Sequence, residues 1–158
     1  MWEKIMRGLL VIAATVFVSA TAIAALDEAG AREIARQWVP EEAVYLSTKD
    51  EIDEYEVEFL VHETNSKYQI DINKNTAMVA EVKTKLRGDW GSLTVKLNES
   101  DVAAIVLSEF PGSQIGQVKL DSDDGYRKYE VKFANGSIRG EMEINPETGV
   151  ILERDIKY

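Results

Sequence analysis

Two stretches of the chain repeat apolar residues every three or four positions, which is the spacing of one helix face. The first stretch follows Asp27, a typical N-cap residue, and ends before Pro40, because the residue before a proline disfavours helical geometry. The second stretch follows Asn98, has Asp101 in the capping-box position, and stops at Pro111. The sequence therefore predicts two capped amphipathic helices.

After each helix, apolar and polar residues alternate, as they do in β-strands with one buried face. The clearest strand of the first half is Glu54–Val61, and in the second half Tyr129, Val131 and Phe133 alternate with charged residues. Residues 134–137, with sequence Ala-Asn-Gly-Ser, predict a hairpin turn. Such short connections make neighbouring strands antiparallel. Weaker strands are predicted at residues 43–46 and 114–120.

The two halves of the chain follow one pattern. Ile34 aligns with Ile105 and Pro40 with Pro111, and the later matches drift by only a few positions, which indicates small loop insertions in a duplicated unit. The predicted fold class is therefore α+β, with two tandem units, each a helix packed on an antiparallel β-sheet. The predicted organisation is a signal peptide at 1–24, a first unit at 25–85, a connector at 86–96 and a second unit at 97–158.

The first 24 residues have the features of a secretory signal peptide. Lys4 and Arg7 form a basic start, and residues 9–18 are an apolar run. In Ala22-Ile23-Ala24, small residues stand at the positions that a signal peptidase reads. Retention of this segment as a membrane anchor stays open as the alternative. The chain has no cysteine, so neither a disulfide nor a lipid anchor on cysteine is expected. The predicted location is periplasmic or secreted.

The net charge limits the partners. It is −10 for the whole chain, and it becomes −11 without residues 1–24, which contain Glu3, Lys4 and Arg7. A chain this acidic is repelled by nucleic acid and by an anionic membrane, so neither is expected as a partner. A basic protein surface or a cationic peptide remains a suitable partner.

Residues for catalysis are scarce. His62 is the only histidine, and a Ser-His-Asp arrangement would have to use it although no nucleophile motif lies nearby. A zinc site needs several histidine or cysteine ligands, and no glycine-rich phosphate loop occurs. We therefore predict no catalytic, cofactor-binding or metal-binding residue, no cofactor and no enzymatic activity; His62 is expected to be solvated at a strand end.

Two acidic segments leave weak calcium binding open. Residues 71–76 place oxygen-bearing side chains at alternate positions, as an EF-hand loop does, but Thr76 stands where that loop needs glycine. Residues 121–125 are also acidic, with a spacing one residue too short. In both segments a solvated hairpin turn is the default interpretation.

The predicted connector contains two glycines and Trp90. The default interpretation of Trp90 is a plug between the two units, and the alternative is an exposed contact residue. The tripeptide Arg87-Gly88-Asp89 spells an integrin-type motif, but three residues match often by chance, and no function is assigned to it.

The second half resembles the PepSY domain in its turn and strand residues. These are Phe110-Pro111-Gly112, Tyr129-Glu130-Val131, Glu143-Ile144-Asn145 and Thr148-Gly149-Val150. The first half departs from this pattern at Glu41 and Ala77, which stand where the second half has Gly112 and Gly149. Among the matching residues, Pro111, Gly112, Asn145, Thr148 and Gly149 form turns and have structural roles. The resemblance therefore implies a function without marking a catalytic or binding site.

PepSY domains occur in propeptides of thermolysin-like metallopeptidases and in small exported bacterial proteins. The resemblance implies an exported, non-catalytic protein-binding module that inhibits or modulates an envelope or extracellular peptidase, possible partners being a metallopeptidase or an envelope sensor. The alternative is an accessory or sensory periplasmic protein that binds a sensor ectodomain or a cationic ligand. Binding that collapses with salt would favour the charge-driven alternative.

Overall fold

The computed structural model describes residues 25–158, so the predicted signal peptide at 1–24 lies outside the described residues. The helices are α1 (Glu28–Arg36) and α2 (Glu99–Glu109). The strands that follow α1 are β1 (Val44–Asp50), β2 (Glu54–Val61), β3 (Ser66–Asn73) and β4 (Val79–Leu86). The strands that follow α2 are β5 (Gln114–Asp123), β6 (Tyr126–Asn135), β7 (Ile138–Ile144) and β8 (Ile151–Lys157).

Both predicted helix caps are confirmed. The Asp27 carboxylate accepts a hydrogen bond from the Gly30 N–H at 2.8 Å. Asn98 and Asp101 form a capping box, because the Asn98 side chain accepts from the Asp101 N–H and the Asp101 side chain accepts from the Asn98 N–H. Within residues 25–158, neither helix is long and apolar enough to cross a membrane.

All eight strands form one antiparallel sheet, with the order β1-β2-β3-β4-β8-β7-β6-β5. The predicted fold class, two tandem units with a sheet each, is therefore wrong. The strands of both halves belong to a single sheet, and two short helices are the only helical elements within residues 25–158. The individual strands are mostly where the sequence predicted them. Strand β2 has the predicted bounds, and the two weaker candidates correspond to β1 and β5, which are both longer than expected.

The sheet is continuous because β4 pairs with β8. Val82 lies opposite Ile156, and Thr84 lies opposite Arg154. A four-stranded sheet would leave the backbone N–H and C=O groups of its last strand without partners, and an edge of this kind is prone to pair with another chain. Pairing β4 with β8 satisfies both edges at once, which is the physical reason for one sheet.

The core lies between the helices and one face of the sheet. Ala31 and Ala35 of α1 are fully buried against β2 and β3, and Val102 and Val106 of α2 are fully buried against β6 and β7. Small and β-branched residues let the helices approach the sheet closely. Both helices therefore cover the same face, and the other face, here called the open face, is not covered by any element within residues 25–158.

Candidate functional site

The open face carries charged side chains of both signs. Its cross-strand ion pairs join Lys49 with Glu56, Lys67 with Glu58, Lys85 with Glu153, and Lys128 with Glu143. Partly exposed pairs of this kind contribute about 0–1 kcal/mol each. The open face is therefore polar and largely self-neutralised, which makes it a poor surface for apolar docking.

Three carboxyl groups lie together near the middle of the open face. Asp71 of β3 stands directly opposite Glu81 of β4, and Asp155 of β8 lies one strand further, opposite Lys83. Asp71 is only 4% exposed. Within residues 25–158, neither Glu81 Oε1 nor Asp155 Oδ1 receives a hydrogen bond. Protons shared among the three carboxyl groups would satisfy these oxygens and relieve the repulsion. We call these residues the carboxyl cluster.

Burial and the neighbouring carboxylates determine the pKa values in the cluster. Burial, together with Glu81, raises the pKa of Asp71 to about 7. Burial and Glu81 raise the pKa of Asp155 to about 6 in the same way. Burial opposes ionisation of Glu81 as well, but hydrogen bonds from Asp155 and Lys83 outweigh it and lower the pKa of Glu81 to about 2. Between about pH 2 and about pH 6 the cluster therefore holds a carboxylate at Glu81 and protons on its neighbours, and above about pH 7 all three carboxyl groups are ionised.

Strand β1 forms one edge of the sheet and exposes apolar side chains. Val44 and Leu46 are each 47% exposed, and Tyr45 between them is also exposed. The register shifts between Tyr45 and Ser47, where a bulge lets Leu46 stand outside the regular alternation. Exposed apolar residues on an edge strand favour pairing with an extended segment of another chain.

A cleft of about 570 Å³ lies between α1 and β1, next to these apolar residues. The Arg32 guanidinium lies 5.2 Å from the centre of the Tyr45 ring, and the Arg36 guanidinium lies 5.8 Å from that of Phe59. Arg36 also donates to the backbone carbonyls of Glu41 and Ala43. These contacts hold the start of β1 against α1, so the β1 edge is a preformed surface.

A second cleft, of about 460 Å³, lies at one end of the open face where the connector crosses the sheet; we call it the junction cleft. Trp90 and Tyr126 line it, and the buried Leu152 lies there too, outside both core clusters. Trp90 is 70% exposed, so its default interpretation as a plug is wrong and the alternative of an exposed residue is correct. The connector is held here because Ser92 pairs with Arg127 at the start of β6.

The other residues that the sequence singled out form no site. His62 is exposed at the end of β2, as expected. Arg87 and Asp89 serve local structure, since the Arg87 carbonyl accepts from Asn65 and the Asp89 carboxylate accepts from the Gly91 N–H. Across residues 25–158, no group of three or more histidine, cysteine or acidic side chains is placed to hold a metal ion.

The first calcium candidate is a turn that its own side chains complete. The Asn73 side-chain oxygen accepts hydrogen bonds from the backbone N–H groups of Asn75 and Thr76, each at 3.0 Å. Asn145 makes the equivalent bonds to Glu147 and Thr148 in the second half. The second candidate, residues 121–125, is the end of β5 and its hairpin; Asp121 there pairs with Lys119 at 2.9 Å.

Replacing Ala77 with glycine is expected to stabilise the first turn. Ala77 has a φ of 54°, while Gly149 has a φ of 74° at the same place in the second turn. A left-handed conformation strains any residue with a Cβ, so Ala77→Gly should raise the free energy of unfolding by about 0.5–1 kcal/mol. The reverse change, Gly149→Ala, should lower it, because a Cβ would also lie 3.1 Å from Ile105. Urea unfolding measures the free energy of unfolding of both variants. A loss of stability in Ala77→Gly would show that the left-handed conformation of Ala77 is not strained.

The family model described as "Peptidase propeptide and YPEB domain" matches residues 96–155, which run from just before α2 into β8. Residues 96–155 match the PepSY domain. By its description, PepSY is a propeptide type of module, and such modules are in general non-catalytic. The match covers the second of the two predicted copies, and the membership of the first copy stays a prediction.

Solved structures show weak likeness. A lipoprotein candidate from Clostridium difficile has a TM-score of 0.37 and 19% identity over 80% of this chain and 90% of its own. A BLIP-like protein from Bacteroides fragilis has a TM-score of 0.35 and 14% identity, over 82% of this chain and 86% of its own. A DUF2874 family protein from Bacteroides uniformis has a TM-score of 0.34 and 16% identity, over 82% of this chain and 90% of its own. At these TM-scores the likeness assigns neither a fold nor a function. No curated protein matches the chain.

Proposed function

We propose that the chain is an exported, non-catalytic protein-binding module that restrains a peptidase in the cell envelope or outside the cell. The single observation that carries this proposal is the PepSY match at residues 96–155, whose description names a peptidase propeptide. Export is supported by the signal-peptide pattern at residues 1–24, with its basic start and apolar run.

The β1 edge is the surface that we assign to the peptidase. A peptidase binds its substrate as an extended strand, and an edge strand offers the same backbone hydrogen-bonding groups. The other edge, β5, is mostly polar and exposes Leu120 among charged neighbours, whereas β1 exposes Val44, Tyr45 and Leu46 in succession. Burying these apolar side chains supplies affinity that does not depend on charge. Docking by β1 is therefore expected to resist moderate salt, unlike the charge-driven binding of a sensor domain.

The double variant Val44→Lys/Leu46→Lys is expected to weaken inhibition of a thermolysin-type metallopeptidase by at least about tenfold. Two apolar contacts are lost, and lysine on an edge strand opposes pairing with another strand. The measurement is the inhibition constant from hydrolysis of a fluorogenic peptide. Both side chains are exposed, so the free energy of unfolding should change by no more than about 0.5 kcal/mol.

The matched control is Leu120→Lys, which places one lysine on the opposite edge strand. It is expected to leave the inhibition constant unchanged. If Leu120→Lys weakens inhibition and the β1 variant does not, then β5, which lies within residues 96–155, is the docking edge and our assignment of β1 is wrong. If the unmodified chain does not inhibit at all, the function itself is wrong.

A further inference from the structure

The junction cleft is lined by aromatic and aliphatic side chains on one part and by charged side chains on the rest. Trp90 from the connector and Tyr126 from β6 line it, and both are exposed. The buried Leu152 adds an apolar surface. Two exposed aromatic rings beside an aliphatic side chain suit the stem and planar head of a long basic side chain.

The connector is held in place, so the cleft does not have to form on binding. Ser92 and Arg127 exchange two backbone hydrogen bonds, of 3.0 and 2.8 Å. The Ser92 hydroxyl also donates to Glu147 at 2.6 Å. Trp90 lies two residues before this anchor. A preformed site loses less conformational entropy when it binds a ligand.

The charges that line the cleft are unbalanced. Its two lysines are already paired, Lys85 with Glu153 at 2.9 Å and Lys128 with Glu143 at 2.6 Å. The remaining charged side chains in the lining are Asp89, Asp123 and Asp124, and none of the ion pairs within residues 25–158 includes them. The cleft therefore combines aromatic walls with negative charge that lacks a counter-ion, and this combination is complementary to a cation.

We propose that the junction cleft binds an arginine side chain presented by an extended segment of a partner protein. Arginine fits better than lysine because its planar guanidinium stacks on an indole and donates two hydrogen bonds to one carboxylate. The site lies at the junction of the two halves, away from the β1 edge, and it goes beyond the proposed peptidase contact.

The test is a titration followed by NMR. The purified, ¹⁵N-labelled chain is titrated with the probe peptide acetyl-Gly-Arg-Gly-Arg-Gly-amide, and the indole N–H signal of Trp90 is assigned with Trp90→Phe. The expected result is a saturable shift of the Trp90 signal, while the signal of Trp38, which packs on Tyr158, stays in place. The same peptide with citrulline for arginine has the same shape without the charge, and it should bind at least about tenfold more weakly.

A matched pair of variants tests the carboxylates. The double variant Asp123→Asn/Asp124→Asn removes charge from the cleft and is expected to weaken arginine-peptide binding several-fold. Asp121→Asn removes a charge from the same strand, but Asp121 pairs with Lys119 and lies outside the cleft, so binding should not change. Equal binding of the arginine and citrulline peptides, no shift of the Trp90 signal, or equal weakening by both variants would overturn the proposal.

The outcome is separable from that of the proposed function. A chain that inhibits the peptidase but shows no arginine-dependent shift at Trp90 refutes the cleft assignment alone. A chain with the arginine-dependent shift but no inhibition keeps the cleft and refutes the peptidase contact.

Discussion

Replacing Gly91 with alanine is expected to lower the free energy of unfolding by about 2–4 kcal/mol. A Cβ on Gly91 would lie 2.2 Å from the Arg127 carbonyl oxygen, which is a backbone atom and cannot rotate away. Gly91 also has a φ of +106°, where side chains are strained. The connector would have to leave the start of β6, and the two backbone hydrogen bonds between Ser92 and Arg127 would be lost. Urea unfolding of both proteins measures the difference.

The matched control for this variant is Gly112→Ala. Gly112 has a φ of +83°, but a Cβ there would meet no atom within 4 Å. Gly112→Ala should therefore lower the free energy of unfolding only by the strain of a left-handed residue, about 1–2 kcal/mol. If both variants lower the free energy of unfolding by the same amount, then the close contact between Gly91 and the start of β6 does not contribute to stability. A larger loss in Gly91→Ala also predicts weaker arginine binding, since Trp90 would lose its anchor.

Replacing Asp71 with asparagine is expected to make the protein more stable at pH 8, by about 1–2 kcal/mol, and to leave its stability near pH 4.5 almost unchanged. At pH 8 the Asp71 carboxyl is ionised, buried and directly opposite Glu81. An asparagine amide carries no charge and still offers a donor to Glu81. Urea unfolding between pH 4 and 8 measures the effect.

The sign of the pH dependence follows from the pKa values. Asp71 has its pKa raised to about 7 and Asp155 to about 6. An unfolded aspartate has a pKa of about 4, so between about pH 4 and pH 7 the folded state keeps protons that the unfolded state has released, and stability falls as pH rises. Glu81 acts oppositely, because its pKa is lowered to about 2 and its contribution is lost as pH falls from about 4 to 2.

The carboxyl cluster is therefore most stabilising near about pH 4–5, and Asp71→Asn should flatten the decline above it. Asp121→Asn is the control, since Asp121 is an acidic residue on the polar side of an edge strand, paired with Lys119, and its pKa is lowered by that lysine. It should leave the slope between pH 5 and 7 intact. A steep decline that persists in Asp71→Asn would show that Asp71 is not its source.

Local signals in the sequence predicted the elements well. Asp27 and Asn98 cap the helices where the capping pattern placed them, and β2 has the bounds that its alternation predicted. These signals succeed because caps and alternation depend on residues a few positions apart. The joining of all strands into one sheet depends on β4 meeting β8, a contact between chain segments about half the chain apart, and hydropathy alternation alone does not specify a partner strand.

The sequence did not predict most of the candidate sites, because these sites also depend on which strands pair. Asp71, Glu81 and Asp155 come from three strands, and nothing in the sequence links them, since the chain contains 28 acidic residues and Asp71 stood out only as part of a calcium-loop candidate. Only the strand order brings them together. Trp90 was recognisable as an isolated aromatic residue between glycines, but its default interpretation was wrong because it assumed two separate units with an interface to fill. The partners of Trp90 in the junction cleft, Tyr126 and Leu152, carried no signal in the sequence.

The most direct test of the central claim is to titrate a thermolysin-type metallopeptidase with the purified chain at moderate salt. Residual hydrolysis of a fluorogenic peptide and the mass of the chain are followed together. Our account predicts saturable inhibition while the chain stays intact, because an edge strand held in a sheet is a poor substrate. Full peptidase activity at saturating chain, or loss of inhibition as the chain is cleaved like an ordinary substrate, would contradict it.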